Sequence, residues 1–309
     1  MNSWYTEVLR RGWDSNPRYR CRYTTFPGWP VQPLLHLSRD TRERENVQRT
    51  GWKCNECGRL IFGLFPLYSF RAFAQIAMLK RLLKRMLFFG TTRYCPVCRG
   101  RIRRFKPSGF ILRQEARCAV CNSLERHRLA WIFFQDYTDL FNNLPKRMLH
   151  IAPEEEFSRL LKNVPGLQYV SADLADPRAM VKVDITSLSF PDGVFDVVYC
   201  SHVLEHVRDD RKAMRELQRV MKPSGWGVVL VPITSGETLE NDPSVTSDED
   251  RTRIYGQPDH VRLYGRDFST RLQEEGFSVR EVRCRNILSP EVSERCGLAD
   301  DELYFVTKE

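Results

Sequence analysis

The C-terminal half of the chain alternates between short apolar runs and helical stretches, and this alternation constrains the fold more than any other feature. Helical patterns cover Glu125–Phe141, Glu154–Lys162, Arg208–Met221 and Asp267–Glu275. Strands that alternate with helices predict an α/β fold, in which a mostly parallel sheet is covered by helices on both faces. Seven runs are predicted as strands: Arg147–Ala152, Leu167–Ala172, Met180–Val183, Val194–Cys200, Trp226–Pro232, Phe277–Arg283 and Glu302–Lys308.

Two C-x-x-C pairs stand shortly before the α/β region. Nineteen residues separate Cys95 and Cys98 from Cys118 and Cys121, a spacing that suits four thiolates around one tetrahedral Zn²⁺. Because cysteine occupies every ligand position, the ion is expected to be structural and to supply much of the folding free energy of this segment. We therefore predict a small zinc-ribbon-like module over residues 94–128. A third pair, Cys54 and Cys57, lacks a matching pair.

Charge is distributed unevenly along the chain. Residues 1–50 carry a net charge of +4, residues 51–128 carry +14 and residues 129–309 carry −9, which sum to the total of +9. The basic part is the candidate for an anionic partner, which is nucleic acid, membrane head groups or a phosphorylated substrate. An uneven solvated surface without a partner explains the same charges equally well.

Residues 78–93 are predicted to form a basic amphipathic helix. Apolar residues recur at helical spacing from Met78 to Phe89, and basic residues fill the intervening positions. Such a helix can lie on an anionic membrane surface, but we favour packing of its apolar face on the neighbouring domain. No stretch reaches about twenty predominantly apolar residues, so no transmembrane segment is predicted.

The first 77 residues lack a convincing structural pattern. Residues 1–50 show no sustained helical or strand period, and Gly12–Arg18 resembles the translation of an antisense transfer-RNA gene. We predict that residues 1–77 are disordered and dispensable, or are not translated in the cell. No secretory signal is visible, and the C-x-x-C pairs indicate metal binding in a reducing compartment, so a cytoplasmic location is expected.

Polar residues follow the predicted strands at the edge where an open parallel sheet binds its ligands. Asp173 ends the second strand, where a carboxylate suits the two hydroxyls of a ribose. Asp184 follows the third strand beside Ile185 and is placed to accept a hydrogen bond from an adenine amino group. The fourth strand leads into Ser201 and His202. The order of these residues predicts a site for a cofactor that contains a nucleoside.

These motifs resemble those of class I S-adenosylmethionine-dependent methyltransferases of the type 11 branch, over Arg147–Val306. The resemblance implies a Rossmann-like seven-stranded sheet, S-adenosylmethionine as the cofactor and a methyltransferase domain over residues 129–309. A narrower resemblance links the chain to a subgroup with a cysteine knuckle. The segments that match the type 11 branch are Asp173, Asp184–Ile185, Phe190–Asp192, Phe195–Asp196, Val203–Val207 and Leu217–Gly225, and those that match the subgroup are Ser123–Arg128, Leu149–Glu154 and Gly256–Gly265.

The loop after the first strand departs from the wider family, in which it is rich in glycine. Ala152, Glu154 and Glu156 stand at the corresponding positions, and glutamates cannot adopt glycine's backbone angles or leave its clearance. The loop is therefore expected to run differently, with Glu154 receiving the ammonium group of the cofactor. The predicted cofactor-binding residues are His150, Ala152, Pro153, Glu154, Asp173, Asp184, Ile185, Ser201 and His202.

Methyl transfer requires a positioned nucleophile and, for many acceptors, a base that removes its proton. His202 is the first candidate base because it directly follows the fourth strand, whereas His206 is expected to brace the following turn. Asp259 and His260 form either an oriented base or a polar loop, and Tyr264 is expected in the acceptor wall. The resemblance suggests a small or glycan-like acceptor. Two alternatives stay open: an RNA methyltransferase that uses the zinc module, and a non-catalytic cofactor-binding protein.

Overall fold

The first element is a long exposed helix. A computed structural model of the chain describes residues 68–109, 112–240, 242–299 and 301–308, and α1 spans Tyr68–Leu87. Its sequence contains neither Gly nor Pro, and Gly90 follows shortly after its end. The helix thus includes residues 68–77, which were expected to be disordered, and it ends before residues 89–93, which were expected to be helical. The remaining predictions for residues 1–67, including Cys54 and Cys57, lie outside the described residues.

Helix α1 contacts the domain through its basic face rather than its apolar one. The Arg85 guanidinium donates a 2.6 Å hydrogen bond to the Cys98 carbonyl, and Arg81 lies 3.8 Å from Glu156. The apolar side chains face solvent, and Met78 and Met86 are 76% and 71% exposed. The favoured prediction that the apolar face packs on the domain is therefore wrong, because the arginines find acceptors on the domain surface. No helix in the described part of the chain is long and apolar enough to cross a bilayer.

Two short hairpins carry the four cysteines. Strand β1 (Phe89–Cys95) pairs with β2 (Gly100–Ile102), and β3 (Lys106–Ser108) pairs with β4 (Arg113–Arg117). Cys95 ends β1 and Cys118 follows β4, so each C-x-x-C turn begins where a strand stops. Helix α2 (Glu125–Tyr137) leaves the second turn and is four residues shorter at its C-terminal end than predicted.

The central sheet has seven strands, as predicted. Its spatial order is β7-β6-β5-β8-β9-β13-β12, and β13 alone runs in the direction opposite to the other six strands. The order reverses between β5 and β8, which creates the crevice at which open α/β sheets bind ligands. The elements are β5 (Lys146–Ile151), α3 (Glu155–Leu161), β6 (Leu167–Asp173), β7 (Val181–Lys182), β8 (Phe195–Ser201), α4 (Asp210–Val220), β9 (Met221–Leu230), β10 (Leu239–Glu240), α5 (Asp248–Tyr255), β11 (Arg262–Leu263), α6 (Phe268–Glu274), β12 (Phe277–Arg283), α7 (Cys284–Ile287), α8 (Pro290–Cys296) and β13 (Glu302–Lys308).

The sheet is buried on both faces because its central strands are apolar at successive positions. Val197 and Tyr199 of β8 pack in one cluster with aromatic residues of α2 and α3. Val198 and Cys200 point to the opposite face and pack with residues of α4 and α6. Since successive side chains of a strand point to opposite faces, a continuous apolar run needs a helical layer on each side. The carboxyl edge of the sheet is left open to form the site.

Candidate active site

A cavity of about 440 Å³ opens at the carboxyl edge of the sheet. Four predicted cofactor-binding residues lie in its wall: Ala152, Asp173, Asp184 and Ile185. The wall also contains residues that sequence reasoning missed, since loops rather than strand ends supply them: Leu174, Thr186, Val203, Val207, Arg208 and Asp209. The cavity wall is mostly apolar and includes the carboxylates of Asp173 and Asp184. Such a wall suits a nucleoside, because the base packs on apolar surface and the carboxylates accept hydrogen bonds.

The two carboxylates are held by the turns that follow their strands. Asp173 Oδ1 accepts hydrogen bonds from the backbone N–H groups of Ala175 and Asp176, both at 2.7 Å. Asp184 Oδ1 accepts from the N–H and the hydroxyl of Thr186, both at 2.8 Å. The Thr186 bonds hold the pKa of Asp184 below its ordinary value. In each carboxylate, Oδ2 makes no hydrogen bond to the described part of the chain and remains available for a ligand.

The Glu154 carboxylate is committed to two histidines. Its Oε1 lies 2.9 Å from His127 Nε2, and its Oε2 lies 2.9 Å from His150 Nε2. Burial opposes the charge, but the two histidines hold the pKa of Glu154 well below its ordinary value. Both oxygens are therefore engaged, which contradicts the expectation that Glu154 receives the cofactor's ammonium group.

Hydrogen bonds around this carboxylate define both histidine tautomers. The backbone N–H of Leu124 donates to His127 Nδ1 at 3.1 Å, so the proton of a neutral His127 sits on Nε2 and points to Glu154. His150 Nδ1 lies 2.8 Å from the Tyr169 hydroxyl. Burial raises the pKa of Tyr169 to about 12, so the phenol stays protonated. Because His150 Nε2 faces the Glu154 carboxylate and carries the ring proton, Nδ1 accepts from the phenol. Burial also lowers the pKa of His127, which favours its neutral form.

The loop between β5 and α3 therefore takes its shape from this network instead of from glycines. Ala152 has a φ of 49°, in the left-handed region that glycine adopts at little cost. Its small side chain lines the cavity of about 440 Å³. Pro153 follows in the loop, whereas His150 is fully buried and supports the loop from beneath rather than lining the cavity.

His202 lines a second cavity of about 480 Å³ at the ends of β8 and β9. Its backbone φ is 54°, a left-handed conformation that is rare for residues other than glycine and recurs at active sites. Burial lowers the pKa of His202, and the positive charge of Arg126 adds to that shift. His202 Nδ1 lies 3.1 Å from Glu205 Oε1. Ser201, the residue before it, is buried with its hydroxyl unpartnered among the described residues.

The second cavity has a charged wall that sequence reasoning did not assign. Glu125 and Arg126 come from the first turn of α2, and Gln257, Arg266 and Glu302 come from the C-terminal half. The signal was present in the Ser123–Arg128 segment, which supplies Glu125 and Arg126 to this wall and His127 to the Glu154 network. No role followed from sequence alone, because the two halves of the wall are more than a hundred residues apart.

The other predicted catalytic residues lie outside both cavities. Tyr264 is fully buried and its hydroxyl donates to Asp210 Oδ2 at 2.6 Å, so a place in the acceptor wall is contradicted. Asp259 Oδ2 lies 3.2 Å from His206 Nδ1, while His260 Nδ1 lies 2.9 Å from the Tyr255 carbonyl. Asp259 and His260 therefore do not form an oriented pair, because each is engaged with another residue.

The four cysteines of the hairpins meet at one point. Cys95, Cys98, Cys118 and Cys121 are all buried and unbridged, and their sulfurs form one group within 4.8 Å. Cys95 Sγ lies 3.7 Å from Cys121 Sγ, and Cys98 Sγ lies 3.8 Å from Cys118 Sγ. Thiolates that bind one tetrahedral zinc ion at about 2.3 Å lie about 3.8 Å apart. The residues present therefore fit Zn²⁺.

The sheet order defines an α/β domain, and the paired strand-end carboxylates line a cavity at its switch point, where sheets of this kind bind ligands. Residues 145–229 match the family model described as "Methyltransferase domain". All the residues that line the cavity of about 440 Å³ lie within this matched segment.

Curated relatives carry methyltransferase names. The chain is 34% identical over 103 residues to a demethylmenaquinone methyltransferase of Thermus thermophilus, a match that covers 28% of this chain and 47% of the relative. It is 30% identical over 105 residues to the ajmaline N-methyltransferase of Rauvolfia serpentina, which covers 33% of each. The chain thus spans less than half the length of these relatives.

Solved structures with related folds include an S-adenosylmethionine-dependent methyltransferase from Archaeoglobus fulgidus. That comparison has a TM-score of 0.41 and 19% identity, over 61% of this chain and 96% of the other. The phosphoethanolamine N-methyltransferase 2 of Haemonchus contortus, in complex with S-adenosylmethionine, gives a TM-score of 0.41 and 18% identity over 59% of this chain and 52% of the other.

Proposed function

We propose that this chain is an S-adenosylmethionine-dependent methyltransferase that acts on a small polar acceptor. One observation carries the proposal: Asp173 and Asp184, at successive strand ends, line one cavity beside the switch point, and each has one oxygen that accepts no hydrogen bond from the described residues. A ribose diol and an adenine amino group are donors that suit two such oxygens.

Within this cavity, Asp173 Oδ2 accepts from the ribose hydroxyls and Asp184 Oδ2 accepts from the adenine amino group. Ile185 and Val203 offer apolar surface to the adenine ring. Ala152 is small enough to let the cofactor approach the end of β5. Glu154 acts indirectly, since its bonds to His127 and His150 hold the loop in place. The cofactor supplies the activated methyl group, and the protein supplies the position of the acceptor.

The acceptor is assigned to the cavity that His202 lines, and His202 is assigned as the base. His202 and Val203 are consecutive, and each lines one of the two cavities, so the end of β8 contributes to both. A base at the end of β8, between the two cavities, would face the acceptor rather than the nucleoside of the cofactor. Replacement of a general base lowers turnover by about 10²- to 10⁴-fold, so His202→Gln should lose turnover while its affinity for the cofactor stays the same.

The charged wall of the acceptor cavity supports a small polar molecule. Arg113 pairs with Glu125 at 3.1 Å and Arg266 pairs with Glu302 at 2.6 Å. By contrast, Arg126 Nε is buried and makes no hydrogen bond within the described residues. An acceptor with an anionic or hydroxyl-rich group would satisfy this guanidinium. The relatives named for a quinone precursor and an alkaloid support a small-molecule acceptor over RNA.

Titration calorimetry with S-adenosylmethionine, followed by transfer of a labelled methyl group in cell extract, tests the proposal. We expect saturable binding and label in a small-molecule fraction. Absence of binding would sink the cofactor assignment. Binding without transfer would support the non-catalytic alternative, and label in RNA would support the RNA methyltransferase.

We further propose that the hairpin module over residues 94–128 holds one structural Zn²⁺. The sulfur spacing supports tetrahedral coordination. Ser123 Oγ lies 3.1 Å from Cys95 Sγ and 3.2 Å from Cys121 Sγ, where a hydroxyl can donate to a metal-bound thiolate. Unbridged cysteines suit a reducing compartment, which supports a cytoplasmic location.

The exposed face of α1 favours peripheral contact with an anionic membrane as an additional property. Leu79, Leu83 and Met86 are each more than half exposed on one side of the helix. Lys80 and Lys84 are exposed beside this apolar face. A helix with this arrangement inserts its apolar side at the head-group boundary while its lysines attract anionic lipids.

A further inference from the structure

A second cluster of metal-ligating side chains lies between the end of β8 and the loop before β11. Glu205 and His206 belong to a one-turn 3₁₀ helix, Leu204–His206, and His260 belongs to the loop. One ligand atom from each of the three residues lies within 4.8 Å of the other two. Two imidazoles and one carboxylate are a donor set that binds divalent transition metals.

Glu205 is a buried carboxylate whose negative charge requires a cation or hydrogen-bond donors nearby. Its side chain is fully buried, and neither carboxylate oxygen accepts a hydrogen bond from the described part of the chain. His202 Nδ1 approaches Oε1 at 3.1 Å but lies off the line of a hydrogen bond. A buried carboxylate is destabilising unless a cation or hydrogen-bond donors offset its loss of hydration. A cation between Glu205 and the two histidines would offset that cost.

His260 presents a nitrogen without a partner to the same point. Its side chain is 3% exposed, and its Nδ1 lies 2.9 Å from the Tyr255 carbonyl. A carbonyl only accepts, so the ring proton sits on Nδ1 and Nε2 keeps its lone pair. Nε2 is buried and has no hydrogen-bond partner among the described residues. Metal-binding histidines show this arrangement, with one nitrogen donating to a carbonyl and the other binding the ion.

His206 is oriented in the same way by Asp259. Its Nδ1 lies 3.2 Å from Asp259 Oδ2 and 3.3 Å from the Asp259 carbonyl. Both are acceptors, so the proton sits on Nδ1 and Nε2 is available. The His206 and His260 rings lie 4.7 Å apart at 83°, a crossing that brings two imidazoles to one point without stacking.

We propose that Glu205, His206 and His260 bind one divalent transition-metal ion such as Zn²⁺, separate from the ion of the cysteine module. Three protein ligands leave a coordination position open. His206 also lines the cofactor cavity, and its side chain is 34% exposed, so the open position faces an accessible side. The ion would fasten the loop that carries Asp259 and His260 to the end of β8. The site does not depend on methyl transfer, and its test reads metal content.

Metal analysis of the full chain after dialysis against Zn²⁺ at a buffered free concentration tests the proposal. We expect two Zn²⁺ per chain in the unaltered protein and one in His206→Ala, whose partly exposed position should permit folding. His206→Cys keeps a ligand and should retain the second ion. Cys118→Ser should lose only the other ion. Equal zinc content in the unaltered protein and His206→Ala would overturn the site.

A second measurement separates a metal site from a structural cluster. Co²⁺ added to protein that holds one Zn²⁺ at its cysteines should give ligand-field bands without a thiolate charge-transfer band, because this site has no sulfur. Asp259→Asn should weaken Co²⁺ binding by about 10- to 100-fold, as expected for the loss of a group that orients a ligand. A cobalt spectrum with a thiolate band, or an unchanged affinity in Asp259→Asn, would contradict the proposal.

Discussion

His127 Nε2 lies 2.9 Å from Glu154 Oε1, so the helix that leaves the second cysteine pair braces the loop that ends the first strand of the main sheet. Arg128, the next residue, is fully buried and donates to the carbonyls of Ala116 and Cys296. One turn of α2 therefore ties the cysteine module to both the cofactor loop and the C-terminal segment. The module is a structural support of the α/β domain.

Stability should fall on acidification because of this bridge. The pKa of His127 is lowered from its ordinary value of 6.5 by burial, and the pKa of Glu154 is held well below 4.5 by the two histidines. In both cases the unfolded state binds protons that the folded state does not, so the free energy of unfolding decreases as pH falls. The loss should begin below about pH 6.5 through His127 and continue below about pH 4.5 through Glu154. Urea unfolding at a series of pH values checks this. In His127→Gln the free energy of unfolding should decrease less between about pH 6.5 and pH 4.5 than it does in the unaltered protein.

The Glu154→Gln variant should lose stability at neutral pH. A glutamine has one amide oxygen, so one of the two histidine N–H groups loses its acceptor and faces an amide N–H instead. Each buried donor left unpaired costs about 1–3 kcal/mol. Urea unfolding at pH 7.5 should show that loss, whereas the exposed control Glu155→Gln should be neutral. An unchanged midpoint for Glu154→Gln would contradict the network.

The strands, and the positions of Asp173 and Asp184 at strand ends, were predictable because each depends on local sequence. Asp173 and Asp184 end apolar runs, and a parallel sheet brings its strand ends together. The role of Glu154 was not predictable, since His127 is 27 residues away and nothing local indicates their contact. The prediction that Tyr264 lies in the acceptor wall was wrong for the same reason, because its hydrogen-bond partner Asp210 is 54 residues away. The apolar face of α1 is exposed because Arg85, on the basic face, binds the Cys98 carbonyl. The helical period of the sequence does not reveal this acceptor.

Cofactor binding should depend on Asp173. Asp173→Ala removes charge-assisted hydrogen bonds worth about 1.5–3 kcal/mol each, so affinity for S-adenosylmethionine should fall by at least about tenfold. Calorimetry of this variant beside Asp192→Ala provides the comparison, because Asp192 pairs with Arg219 at the surface and lines neither cavity. Unchanged affinity in Asp173→Ala would refute the assignment, and equal losses in both variants would point to a general defect.

Zinc at the cysteine module should be required for stability. Cys118→Ser removes one of four thiolates, and a structural zinc site contributes folding free energy directly. We expect one fewer zinc per chain and a lower thermal midpoint, and we expect weaker cofactor binding because the start of α2 loses its anchor. Cys200→Ser is the matched control, since Cys200 is buried in the sheet away from the cluster. Zinc content that is the same in Cys118→Ser and the unaltered protein would exclude the module.

Binding to anionic vesicles should depend on the outer face of α1. Leu83 and Met86 are 55% and 71% exposed, so Leu83→Ser with Met86→Ser removes apolar surface without disturbing the core. Each lysine near an anionic surface contributes about 1 kcal/mol, so Lys80→Gln with Lys84→Gln should weaken binding by about 30-fold. Co-sedimentation with vesicles that contain phosphatidylserine measures both effects, and zwitterionic vesicles should bind less. Val292→Ser, which removes an exposed apolar residue from α8, should bind as the unaltered chain does. If all variants sediment equally, or if lipid charge has no influence, the helix does not bind the membrane in this way.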